Sequence, residues 1–130
     1  MIVLDTHIWI WWVQGDKRLS ANQTKAIQDN EEDGLGVSAI SCWEVAKLVE
    51  KGRLVLPVEV EEWLELALSY PGIELIPISP AITVASTRFP SDFSQDPADQ
   101  LIAATAQVHD YPLITSDAKL LGHAQLATIH

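Results

Sequence analysis

Short apolar runs alternate along the chain with longer stretches of helical spacing. Residues 2–4, 35–38, 74–78, 113–115 and 127–129 are predicted to be strands. The first and fourth are unbroken apolar runs, as expected where both faces of a sheet are covered. Val60, Trp63, Leu64, Ala67 and Leu68 recur at the spacing of one buried helical stripe, with glutamates crowding the first turn, where the helix dipole favours them. Ser20 is placed to cap a helix running through Ala26 and Ile27, and Pro80 to open another that ends near Arg88. Residues 89–95 read as a loop, and no repeat or interdomain linker interrupts the pattern. Strands and helices taking turns predict an α/β fold with a mostly parallel sheet of about five strands and helices on both faces.

At 130 residues the chain is expected to form one domain, 1–130, with a core of its own. Its hydrophobic content of 48% and charged content of 20% exclude a disordered polymer. The apolar run at 8–13 is too short to span a bilayer, so no membrane association is expected. The N-terminal residues show no basic leader and place an acid at position 5, so a secretory signal is not expected. A single cysteine, Cys42, leaves no internal disulfide and fits a reducing cytoplasm. The net charge of −10 bears on partners, because an acidic surface repels nucleic acid. Half of that charge, however, belongs to five acids with a pattern of their own.

In open α/β sheets, ligands bind beyond the carboxyl ends of the strands. Asp5 directly follows the first strand, and Asp117 follows the fourth. Glu44 comes about one helical turn after the second strand. Asp96 and Asp99 open the helix that precedes the fourth. A parallel sheet would gather all five on one rim. Each also has a reading that involves no chemistry. Ser41-Cys42-Trp43-Glu44 has the form of a capping box, and Asp96-Pro97-Ala98-Asp99 that of an N-cap, a first-turn proline and a dipole-stabilised acid. Asp5 and Asp117 are equally placed to cap the turns that follow them. Asp99, however, shares its helical face with Ile102, Ala103 and Ala106 and has no basic helical neighbour, so it should be desolvated. Glu44 shares its face with Lys47 and Lys51, which leaves a solvated ion-pairing face open for it. Capping does not explain why several carboxylates should crowd one edge, an arrangement that needs protons or cations to neutralise it. Oxygen-only donors suit Mg²⁺ or Mn²⁺. Zinc is disfavoured, since Cys42 is alone and His7, His109, His123 and His130 lack ligand spacing. His7 is expected to be a helix-start or surface residue, and the other three to be peripheral.

Four segments carry a resemblance: Leu4-Asp5-Thr6-His7, Ser41-Cys42-Trp43-Glu44, Asp96-Pro97-Ala98-Asp99-Gln100-Leu101-Ile102-Ala103-Ala104 and Leu113-Ile114-Thr115-Ser116-Asp117. In order and spacing they resemble the motifs of PIN-domain nucleases, above all the toxins of VapC-type toxin–antitoxin pairs. The resemblance implies a three-layer α/β/α fold, a divalent-metal site and endoribonuclease activity on RNA. By position it makes Asp5, Glu44, Asp99 and Asp117 the catalytic acids and metal ligands. Asp96 matches an acid common in one toxin subgroup and is counted with the metal ligands. That subgroup usually has an aromatic residue where Ala98 stands and an arginine where Gln100 stands, and often a histidine at the place of Ser94.

The mechanism expected on this basis is attack on the RNA phosphorus by a metal-activated water, leaving 5′-phosphate and 3′-hydroxyl ends. Thr115 and Ser116 are expected to orient Asp117 from behind. Lys47, Lys51, Arg53 and Lys119 are candidate phosphate contacts. The tryptophan-rich run at 8–13 is expected to be mostly core, with one or two indoles facing a dimer or antitoxin groove. A homodimer and a small antitoxin, basic or with an arginine-bearing tail, are the partners that the resemblance implies. Two rival readings are an inactive PIN-like binding module and a receiver-like Mg²⁺-binding signalling domain. The second needs a phosphoacceptor aspartate after its third strand, where this chain has Ile76-Pro77-Ile78-Ser79.

Overall fold

A computed structural model describes residues 1–121 and 126–130. Its elements, in chain order, are β1 (Ile2–Leu4), α1 (Thr6–Gln14), α2 (Ala21–Asn30), β2 (Leu35–Ser38), α3 (Ala39–Glu50), α4 (Val60–Leu68), β3 (Ile73–Ile76), α5 (Pro80–Ser86), α6 (Pro97–His109), β4 (Leu113–Ile114) and β5 (Thr128–Ile129). The five strands form one sheet in the order β3-β2-β1-β4-β5. Every pairing is parallel, so the expected mostly parallel sheet is wholly so. β1 lies at the centre, with Val3 in register with Gly36 on one side and Leu113 on the other.

The alternation of side chains along β1 builds the layers. Ile2 and Leu4 join a core with Trp9, Ile27, Val45, Trp63 and Ala67, whereas Val3 faces the opposite core with Ile102, Ala103, Ala106 and Leu113. Helices therefore cover both faces, which is the three-layer α/β/α arrangement. Trp9 is fully buried, its ring meeting Trp63 edge-on at 5.2 Å between centroids. Among the described residues, no helix is long and apolar enough to cross a membrane.

Three strands differ in their limits from expectation. β3 spans Ile73–Ile76 rather than 74–78, because Pro77 has no N–H to continue the ladder. β4 and β5 are each one residue shorter than expected, although the Thr115 amide still donates to the Ile129 carbonyl at 3.1 Å. Residues 117–121 form a turn closed by the Asp117 carbonyl. His123, expected to be peripheral, lies outside the described residues.

Gly72 admits the chain to β3. Its φ of +88° is poorly tolerated by L side chains, and a Cβ there would lie 2.6 Å from the backbone oxygen of Glu31. Its own carbonyl accepts from the Leu35 amide at 2.7 Å, so moving the segment away breaks an inter-strand bond. We expect Gly72→Ala to lower unfolding stability by about 2 kcal/mol or more in urea titrations. A change below about 0.5 kcal/mol would show that the turn relaxes freely.

Candidate active site

The parallel sheet places the ends of β1, β2 and β4 side by side, and each is followed by a turn or a helix N-terminus. Asp5 leaves β1 in extended backbone and caps α1, its Oδ1 accepting from the Thr6 amide at 2.9 Å. Asp96 caps α6, accepting from the Ala98 amide at 2.9 Å, with Pro97 in the first turn and Asp99 just beyond it. Asp117 closes the turn after β4, its side chain accepting from the Lys119 amide at 2.9 Å. The capping geometry expected for Asp5, Asp96 and Asp117 is thus present. For Glu44 it is not. Ser38 caps α3, so Ser41 and Glu44 lie inside the helix.

All five acids line one cavity of about 520 Å³. A larger cavity of about 690 Å³ between α5 and α6, lined by Pro80, Ala81, Val84, Ala85, Arg88 and Gln107, has no carboxylate on its wall. Within the acidic cavity, three hydroxyls each meet one acid. Thr115 Oγ1 donates to Asp5 Oδ2 at 2.7 Å, Ser94 Oγ donates to Asp99 Oδ2 at 2.7 Å, and Thr6 Oγ1 donates to Glu44. Thr6 Oγ1 is also 2.9 Å from Ser41 Oγ, so one hydroxyl pair joins α1 to α3 behind Glu44.

Residues 2–125 match the sequence profile described as the PIN domain. The chain is 37% identical over 122 residues to Ribonuclease VapC22 of Mycobacterium tuberculosis, an alignment covering 94% of this chain and 91% of that protein. The chain belongs to the PIN domain family. Its fold recurs in the crystal structure of VapBC2 from Rickettsia felis bound to a DNA fragment from their promoter, with TM-score 0.72, 19% identity and 98% and 97% of the two chains covered. It recurs also in a toxin–antitoxin complex from Klebsiella pneumoniae, with TM-score 0.66, 23% identity and the same coverage.

In this PIN domain three of the acids are shifted upward. Burial pushes the Asp99 carboxyl up to about 6, with Asp5, Asp96 and Asp117 adding repulsion and Ser94 opposing. Burial likewise lifts Glu44 to about 7, against the Thr6 hydrogen bond and helped by Asp5, Asp99 and Asp96. Asp5 is 7% exposed, and burial raises it despite donors from Thr115 and Thr6. The protonated forms of these groups are favoured until something positive joins them.

Among the described residues, no three His, Cys, Asp or Glu side chains stand close enough to enclose a cation between them. Asp5, Glu44 and Asp99 each accept from a hydroxyl instead. Such a spread, all-oxygen set still fits Mg²⁺ or Mn²⁺, since Mg²⁺ keeps several waters and takes only one or two carboxylates directly. Asp5, Glu44, Asp99 and Asp117 are the groups that would hold it.

Other expected contacts fall differently. Thr115 donates to Asp5 and accepts from the Asp117 amide, so it orients the Asp5 carboxylate and the Asp117 backbone rather than the Asp117 carboxylate. Ser116 accepts from Gln23 Nε2 at 2.7 Å. Lys119 borders the cavity, whereas Lys47, Lys51 and Arg53 do not. Lys47 pairs with Glu50 at 3.0 Å and lies over Trp43, so the ion pair with Glu44 that the helical spacing left open is not made. His7 is exposed at the start of α1, as expected, yet it borders the cavity too. Trp9 is core; Trp12 lines a small cavity with Tyr70 and Pro71, and Trp11 faces the acids. Thr6, Ser41, Ser94 and Arg18 were not singled out as site residues. A hydroxyl beside each acid motif was the available signal for the first three.

The raised carboxyls make stability depend on pH. Glu44 and Asp99 bind protons more tightly in the folded than in the unfolded chain, so stability falls as pH rises from the ordinary carboxylate range through about 6 and about 7, then levels off. Without divalent cations, Tm should fall between pH 5 and pH 7.5, and Glu44→Gln should flatten that fall. Mg²⁺ should raise Tm more at pH 8 than at pH 5, because cation and proton compete for the same oxygens. A Tm independent of pH in EDTA would contradict the burial of these charges.

Proposed function

We propose that this PIN domain is a divalent-metal-dependent endoribonuclease, the toxin of a toxin–antitoxin pair, acting in the cytoplasm. The observation that carries this reading is the convergence of five carboxylates, three of them raised by burial, on one cavity at the carboxyl edge of the sheet. The relationship to Ribonuclease VapC22 supports RNA as the substrate. The likeness of fold to a toxin–antitoxin complex supports a small antitoxin as partner. An arginine-bearing tail entering the cavity would match its charge and compete with a cation there.

Mg²⁺ or Mn²⁺, when bound, supplies Lewis-acid stabilisation of the phosphate and makes hydroxide available at neutral pH. Asp5, Glu44, Asp99 and Asp117 are the groups that would hold the cation, with waters completing its coordination. Asp96, exposed at the start of α6, adds negative charge at the rim. Thr115, Thr6 and Ser94 each donate to one of the three shifted carboxylates and so orient Asp5, Glu44 and Asp99. Water is the nucleophile and the 3′ oxygen the leaving group, so the products carry 5′-phosphate and 3′-hydroxyl ends.

Asp5→Asn keeps the oxygen that caps α1 and removes a buried charge. We expect RNA cleavage to fall about 100-fold or more, with the circular dichroism spectrum unchanged and Tm equal or higher. EDTA should abolish wild-type cleavage and Mn²⁺ restore it. Cyclic-phosphate products, or activity that survives EDTA, would rule this chemistry out.

A further inference from the structure

The cavity has a second wall that contributes no carboxylate. Trp11, on α1, and Arg18, in the turn after it, line the space faced by the acids, with Lys119 on the same rim. The turn is built to bring Arg18 back over Trp11. Gly15 ends α1 at φ +63°, its amide donating to the Trp12 carbonyl at 3.3 Å while the Asp16 amide donates to the Trp11 carbonyl at 2.8 Å. This is a Schellman closure, which reverses the chain against the last helical turn. Asp16 Oδ1 then accepts from the Arg18 amide at 2.9 Å, an Asx turn that tightens the reversal. The same carboxylate grips the guanidinium through Nε and Nη2, the latter at 2.8 Å. Arg18 Cζ comes to rest 5.3 Å from the Trp11 ring centroid.

A surface arginine normally samples many rotamers, and ordering it has an entropic cost. Here the guanidinium is held by a carboxylate and an indole, yet its side chain stays 70% exposed. A flat cation fixed against an aromatic ring and open to solvent, on the wall of an acidic cavity, calls for a flat ligand that carries phosphate. We propose that Trp11 and Arg18 form a stacking shelf for a nucleobase of single-stranded RNA beside the scissile phosphate, with Lys119 receiving a neighbouring phosphate.

This rests on the ribonuclease reading and adds the subsite that holds the substrate. Bases of single-stranded RNA stack on aromatic rings and guanidinium planes, whereas bases within a duplex are already stacked and paired. Lys119 also supplies positive charge at the rim of a protein of net charge −10, where an approaching phosphate would otherwise be repelled, while Arg18, paired with Asp16, offers chiefly its exposed plane.

The test compares binding, by fluorescence anisotropy in Mg²⁺, of a short single-stranded RNA and of an abasic sugar-phosphate oligomer of equal length. Asp5→Asn protein is used so that the RNA stays whole. The intact RNA should bind about tenfold more tightly than the abasic one. Trp11→Phe should keep that preference and Trp11→Leu lose it. Arg18→Lys, which keeps the charge and removes the plane, should lower the preference several-fold and leave abasic binding unchanged. Arg18 is exposed, so this variant decides the matter even if Trp11→Leu proves unstable. Equal binding of intact and abasic oligomers overturns the shelf and leaves the nuclease reading standing, whereas no binding of either overturns both. An arginine-rich peptide bound more tightly than RNA, and released by Arg18→Lys, would make the wall a protein-docking surface and overturn the proposal.

Discussion

Carboxylates repel one another, and burial removes the water that would screen them; this protein concentrates both effects at one end of its sheet. Asp5, Glu44 and Asp99 are shifted upward chiefly by burial; Asp5 and Asp96 add repulsion at Glu44 and Asp99, Asp99 adds it at Glu44, and Asp117 adds it at Asp5 and Asp99. An arrangement of this kind persists only where the scaffold over-determines it. Here the scaffold is a parallel sheet whose central strand contributes to both cores, so the backbone leading to Asp5 cannot give way without disturbing both layers.

Capping and convergence on the cavity are the same arrangement at three of the acids. Asp5 and Asp96 cap helices, and Asp117 closes a turn. In a parallel sheet the helices begin where the strands end, so their positive N-termini point into the space that the acids share. Amide donors and helix dipoles offset part of the negative charge, and the hydroxyls of Thr6, Ser94 and Thr115 offset more. What remains uncompensated keeps the carboxyls of Asp5, Glu44 and Asp99 shifted upward. Capping and a place on the cavity wall are therefore not alternatives at these positions, because capping is what holds each acid at the rim.

The opposite wall shows the same economy of construction. Gly15 ends α1, and the reversal it permits sets Arg18 over Trp11. A helix stop signal thus becomes part of the cavity. Membership of the PIN domain family accounts for the acids and the fold, whereas the clamped arginine is read from this chain's own geometry.

The amino-acid sequence alone determined the layered α/β fold, the order of its elements and the gathering of Asp5, Glu44, Asp96, Asp99 and Asp117 at one rim. It could do so because side-chain alternation, helical periodicity and strand-end position are local properties with fixed geometry. Strand limits moved where a local rule was overlooked, as at Pro77, which removes a ladder donor. The role of Glu44 was decided only in three dimensions. Ser41 to Glu44 has the pattern of a capping box, but Ser38, at the end of β2, takes the cap and leaves Glu44 inside α3, turned toward Thr6. The partners of Thr115, Ser94 and Arg18 were likewise settled by packing. A hydroxyl or a guanidinium can serve many acceptors, and which one it meets depends on how separate segments are brought together, which no local pattern encodes.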